Sequence, residues 1–142
     1  MPTAHLRKAN PRKVNAFVIE DDEHTRSAVS AALEKLGLAV QAFDNAGEAL
    51  AALDDAAPKI IFLDIALNQS DAVDVIKGLG QRHYAGTVQL FSSHPRLLDS
   101  IQRIAMRYRL KVRSPLPKPL RDELITQIIA EVGLGGFPAS AR

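Results

Sequence analysis

Ile60-Ile61-Phe62-Leu63-Asp64 decides the fold of this chain. Four consecutive apolar residues, two of them β-branched, end abruptly in a carboxylate, and Pro58 precedes them. A run this short and this uniformly apolar predicts a strand buried on both faces, as in a parallel sheet covered by helices. Asp64 then lies where the strand runs out, at the carboxyl edge of the sheet. Open α/β sheets bind ligands along that edge. Taken alone, Asp64 reads first as the cap of the turn that follows.

The rest of the chain repeats the alternation. Upstream, Ala16-Phe17-Val18-Ile19 is a second continuous apolar run, and it ends in the acids Glu20-Asp21-Asp22-Glu23. Val29, Ala32, Leu33 and Leu36 follow at helical spacing and Gly37 stops them, with Asp22 placed to cap the helix. Val40 to Phe43 alternates apolar and polar, and Ala46, Ala49, Leu50 and Leu53 form a second helical stripe. Beyond Asp64, the stripe Ala72, Val75, Ile76, Leu79 predicts a third helix, and Val88 to Phe91 a fourth strand leading into Ser92-Ser93-His94-Pro95. Leu97, Ile101, Ile104, Ala105 and Tyr108 mark a fourth helix. Leu110 to Arg113 predicts a fifth strand, the stretch from Ser114 to Pro119 a proline-rich connection, and Leu120 to Val132 the last helix, ended by Gly133.

Five strands alternating with five helices predict a doubly wound parallel sheet, an α/β fold of the flavodoxin-like (βα)5 type. The solid runs belong at the centre and the alternating ones at the edges. With right-handed crossovers this gives the strand order 2-1-3-4-5. The expected organisation is a basic N-terminal arm over 1–13, one domain over 14–133 and a flexible tail over 134–142.

Composition narrows the function. The 142 residues carry no cysteine, which removes thiol nucleophiles, disulfides and cysteine-based zinc sites. A net charge of +2, no tryptophan and few aromatics argue against nucleic acid as a partner. No apolar run is long enough for a membrane span and no signal-peptide core is present, so a cytoplasmic location is expected.

In the order 2-1-3-4-5 the switch point lies between strands one and three, so Glu20 and Asp21 should meet Asp64 there. Crowded carboxylates raise one another's pKa, and a hard divalent cation relieves this, with Mg2+ the best match to so few oxygen ligands. Ser92 at the end of strand four and Lys118 after strand five share the same edge. Metal, hydroxyl and ammonium around one carboxylate suit phosphoryl transfer to that carboxylate.

As a set, these residues resemble the receiver (CheY-like) domain of two-component response regulators, over Val14 to Val132. The segment Phe17-Val18-Ile19-Glu20-Asp21-Asp22 with Arg26 is similar to the family's acidic opening, and counting back from Arg26 puts the metal pair on Glu20 and Asp21. The resemblance implies Asp64 as phosphoacceptor, the backbone carbonyl of Ala66 as a further metal ligand, Ser92 as the switch hydroxyl and Lys118-Pro119 as a cis peptide. It implies no enzyme in the usual sense, but a phosphoacceptor that catalyses its own phosphorylation and dephosphorylation. The implied donor is a sensor histidine kinase or a histidine phosphotransfer protein, and output would pass to a partner protein or a homodimer.

Departures from the pattern are equally specific. Asn68 and Ala72 stand where the family usually has proline and glycine, and Pro115 stands where many members carry an aromatic switch residue. The segment Asn68-Gln69-Ser70-Asp71-Ala72-Val73 resembles receivers joined to cyclic-di-GMP phosphodiesterase (EAL) domains. The expectation is a single-domain receiver. The rival is a phosphorylation-independent interaction or dimerisation module with a vestigial pocket. A haloacid-type phosphatase would need a second aspartate where Ala66 stands. His94, two residues past Ser92, reads as an exposed loop residue or as a group that tunes phosphoryl lifetime.

Overall fold

A computed structural model describes residues 14–65 and 69–134. The arm over 1–13 and nearly all of the tail lie outside the described residues, as do Ala66 and Asn68. The elements are β1 (Ala16–Ile19), α1 (Glu23–Lys35), β2 (Val40–Phe43), α2 (Ala46–Ala52), β3 (Ile60–Asp64), α3 (Gln69–Gln81), β4 (Thr87–Ser92), α4 (Pro95–Arg107), β5 (Lys111–Pro117) and α5 (Asp122–Val132). The five strands form one parallel sheet in the order β2-β1-β3-β4-β5, the order expected from their patterning.

The solid apolar runs take the centre because each of their faces meets a helix layer. Every residue of β1 and β3 is buried. On one face Phe17, Ile19, Ile61 and Leu63 pack with Ala49, Val75, Ile76 and Ile101 of α2, α3 and α4. On the other, Ala16, Val18, Ile60 and Phe62 pack with Val29, Leu33, Ile125 and Ile129 of α1 and α5. The period of two along each strand therefore feeds two cores, and each fully buried large side chain contributes roughly 1.5–3 kcal/mol. No helix among the described residues is long and apolar enough to cross a membrane.

Local signals set the helix ends. Asp22 accepts a hydrogen bond from the Thr25 amide at 2.8 Å and caps α1, while Gly37 and Gly133 take the left-handed conformation (φ 87° and 82°) beyond α1 and α5. Asn45 does for α2 what Asp22 does for α1, accepting from the Glu48 amide at 2.9 Å. A seven-residue helix depends heavily on that cap. Asn45→Ala is expected to cost about 1 kcal/mol, read as a shift of the urea midpoint at unchanged slope.

β5 corrects the sequence expectation. It runs on through Pro115 to Pro117, where a proline-rich connection was expected after Arg113. β5 is an edge strand, so its prolines leave no central ladder partner unmet. The register slips between Gln89 and Phe91, and the buried Gln89 side chain spans the irregularity. Its amide donates to the Ser114 carbonyl at 2.9 Å, and its oxygen accepts from Arg113 Nε at 3.0 Å. The slip sets Ser92 opposite Pro117 and so delivers Lys118 to the carboxyl edge.

Candidate functional site

Four acids follow β1, and the backbone sorts them. The Glu20 amide donates to the Phe43 carbonyl at 3.0 Å, which extends the β1–β2 pairing by one residue and turns the Glu20 side chain into the protein. There it is fully buried, and its Oε2 accepts from the Asp22 amide at 3.0 Å. Asp21 is exposed, Asp22 caps α1 and Glu23 lies in the first helical turn. Arg26 holds this turn in place, with Nη1 donating to the Glu20 carbonyl at 2.9 Å and to the Asp21 carbonyl at 3.4 Å.

Asp64 ends β3 in a buried position, and the Ile65 amide continues the ladder to the Phe91 carbonyl at 3.0 Å. One carboxylate oxygen from each of Glu20, Asp21 and Asp64 lies within 4.8 Å of the others. Lys118 reaches into this group. Its Nζ sits 2.7 Å from Glu20 Oε1 and 3.1 Å from Asp64 Oδ2, with the Phe91 ring centroid 5.6 Å away. The lysine is held to the end of β4 by its own backbone, since its amide donates to the Ser92 carbonyl at 3.1 Å; its peptide bond to Pro119 is cis. Ser92 is buried at the end of β4, and its Oγ accepts from the His94 amide at 2.8 Å. His94 itself is exposed.

Burial is the main reason that the Glu20 carboxyl is pushed up to about 7, and its hydrogen bond with Asp64 adds to the shift against the opposing pull of Lys118 and the Asp22 amide. Burial also works against the Lys118 ammonium, but hydrogen bonds and charge from Glu20 and Asp64 outweigh it, so its pKa lies above the ordinary lysine value. Fully ionised, three carboxylates against one ammonium leave two negative charges around hard oxygen donors. That donor set fits a divalent ion of the magnesium type and offers nothing to a soft metal.

The structure thus brings Glu20, Asp21, Asp64 and Lys118 together and sets Ser92 on the adjacent strand end. The Ala66 carbonyl lies outside the described residues. Ala72 is buried in α3, and Pro115 lies within β5. Two contributors escaped the sequence reading of the site. Arg26 is one, because its guanidinium fixes the acidic turn. Gln89 is the other, and its signal in the sequence is a polar residue inside the apolar run Val88-Gln89-Leu90-Phe91.

Residues 16–130 match the family model described as the response regulator receiver domain. Among curated proteins, the DNA-binding transcriptional regulator NtrC of Salmonella typhimurium is 31% identical over 113 residues, covering 79% of this chain and 23% of its own length. NtrC of Escherichia coli is 30% identical over the same extent. The chain therefore spans about a quarter of the length of the curated relatives it matches. The solution structure of the beryllofluoride-activated NtrC receiver domain is similar at a TM-score of 0.65 and 26% identity, with 85% of this chain and 94% of that one covered. A response regulator from Colwellia psychrerythraea shares the fold at a TM-score of 0.71 and 23% identity, over 84% and 96% of the two chains.

Proposed function

The chain belongs to the response regulator receiver domain family of two-component systems, and on that premise we propose that it accepts a phosphoryl group on Asp64 from a phosphohistidine donor. The observation that carries this reading is the bridge from Lys118 Nζ to the buried carboxylates of both Glu20 and Asp64. It supports a site that concentrates opposite charges around one nucleophile, as phosphoryl transfer requires.

In the proposed step an Asp64 oxygen attacks phosphorus, the acyl phosphate bond forms, and the P–N bond to the donor imidazole breaks, with the electron pair leaving on nitrogen. Glu20, Asp21 and Asp64 would hold magnesium, whose charge offsets that of the transferring oxygens. Lys118 is within a small side-chain movement of any group attached to Asp64 and donates to a phosphoryl oxygen there. Ser92 Oγ already accepts from the His94 amide, so its hydroxyl hydrogen is left to donate to another phosphoryl oxygen. Phosphorylation adds about −1.5 to −2 charges. Lys118 and Ser92 would follow that charge, and the β4–α4 and β5–α5 connections would follow them.

The donor in this reading is a histidine kinase or a histidine phosphotransfer protein. Output passes to a docked partner, for which cyclic-di-GMP signalling and a homodimer are the candidates the sequence suggests. Pro115 favours a second reading, because a proline ring in β5 cannot swing inward as an aromatic side chain can. In that reading the surface around Pro115 and the loop after Asp64 is a constitutive interface and the pocket is vestigial.

Incubation of the chain with a radiolabelled small acyl phosphate tests between them. Mg2+-dependent label that is lost in EDTA and released by hydroxylamine is expected from the phosphoacceptor. A chain that binds no Mg2+ at millimolar concentration and takes no label would leave only the second reading.

A further inference from the structure

At the opposite end of the sheet from Asp64, a cavity of about 590 Å³ opens between the α3–β4 and α4–β5 turns. β4 separates the two ends, a distance of about 20 Å at the usual strand rise. The cavity's size is in the range of small-molecule sites. Its lining contains Tyr84, Tyr108, His83, Arg107, Arg109 and Lys111, and no carboxylate. Among the described residues, no hydrogen bond or ion pair engages the side chains of Arg107, Arg109 or Lys111.

The aromatic walls are held in place. Tyr84 donates from its hydroxyl to the Pro58 carbonyl at 2.7 Å. Tyr108 lies against Gly80, where an added Cβ would come within 2.4 Å of the ring. Gly86 makes similar room for Tyr84, since a Cβ there would fall 2.3 Å from the phenol oxygen. Gly80 takes this place in the last turn of α3. His83 and Arg109 adopt left-handed backbone conformations (φ 53° and 60°) at the two turns that form the rim. For side-chain-bearing residues such conformations are uncommon.

A simpler account is that the cations only offset the C-terminal ends of α3 and α4. The magnitudes do not support it. Each helix end carries roughly half a negative charge, so two ends offset about one of the three unpaired cations. Backbone turns also occupy several of those carbonyls, with amide donors from His83, Tyr84, Tyr108 and Arg109. About two positive charges remain beside two phenol rings.

The geometry points to a binding site for a nucleotide, with its base against Tyr84 and Tyr108 and its phosphates on Arg107, Arg109 and Lys111. Aromatic faces stack on bases of any identity, and guanidinium pairs suit phosphate oxygens.

The test is titration of the full chain with ATP in EDTA, so that no metal bridges the phosphates to the acidic edge, followed by heteronuclear NMR. Saturable shifts are expected at the amides of His83, Tyr84 and Tyr108 to Lys111. The exposed double substitution Arg107→Gln/Arg109→Gln should weaken binding by at least about tenfold, whereas Asp64→Asn should leave it unchanged. Inorganic pyrophosphate and adenosine should each bind more weakly than ATP. Undiminished binding to the double variant, shifts confined to other residues, no saturation at millimolar ATP, or pyrophosphate binding as tightly as ATP would each overturn the assignment. None of these outcomes bears on phosphorylation of Asp64.

Discussion

Asp64→Asn is expected to take no label from an acyl phosphate under conditions that label the wild-type chain, a loss of at least about 10²-fold. The substitution is nearly isosteric in a buried position at the end of β3, so the strand and its pairing to β4 have no reason to shift. What disappears is the anionic oxygen. A neutral amide oxygen is a poor nucleophile toward phosphorus, and no other carboxylate among the described residues shares both the end of a central strand and contact with Lys118 except Glu20. Glu20 is already committed through Oε2 to the Asp22 amide. The variant also removes one of three crowded acids, so its melting temperature in EDTA should not fall below that of the wild type. Labelling of this variant at the wild-type level, in protein that melts normally, would remove Asp64 as the acceptor.

The fold was legible where local pattern and global position demand the same thing. Ile60 to Leu63 can only be satisfied by burial on two sides, and Val40 to Phe43 only by an edge, so strand character and strand order came from one signal. β5 is longer than its pattern predicts because the local rule against proline in strands holds for central strands. Its relaxation for Pro115 and Pro117 depends on β5 being the last strand, which is a property of the assembled sheet. The role of Gln89 is hidden in the sequence for a related reason. Its partners Arg113 and Ser114 are more than twenty residues away and meet it only through the slipped β4–β5 register. Among the four acids after β1, composition alone does not say which one turns inward. That choice follows from one extra ladder hydrogen bond at Glu20 and from the use of Asp22 as a helix cap.

Lys118→Met should separate charge from packing at the same site. The thioether side chain keeps an apolar stem beside Phe91 and removes the ammonium that bridges Glu20 and Asp64. Removing one partner from a buried ion pair typically costs several kcal/mol, because the other is left uncompensated. The Lys118 side chain is 18% exposed, so a figure at the low end, about 3 kcal/mol, is expected in EDTA. For a domain of this size that is a drop of about 10 °C in melting temperature. Mg2+ should then stabilise the variant more than the wild type, since the same carboxylates bind it without a competing ammonium. Phosphoryl labelling should nonetheless stay low, by roughly 10²-fold, because the donor that meets the incoming oxygens is gone. Lys35→Met, in the last turn of α1, serves as the exposed control and should move neither quantity appreciably. An unchanged melting temperature in EDTA together with an unchanged response to Mg2+ would mean that Lys118 does not hold the two carboxylates in solution, and the charge arrangement proposed for Asp64 would fail with it.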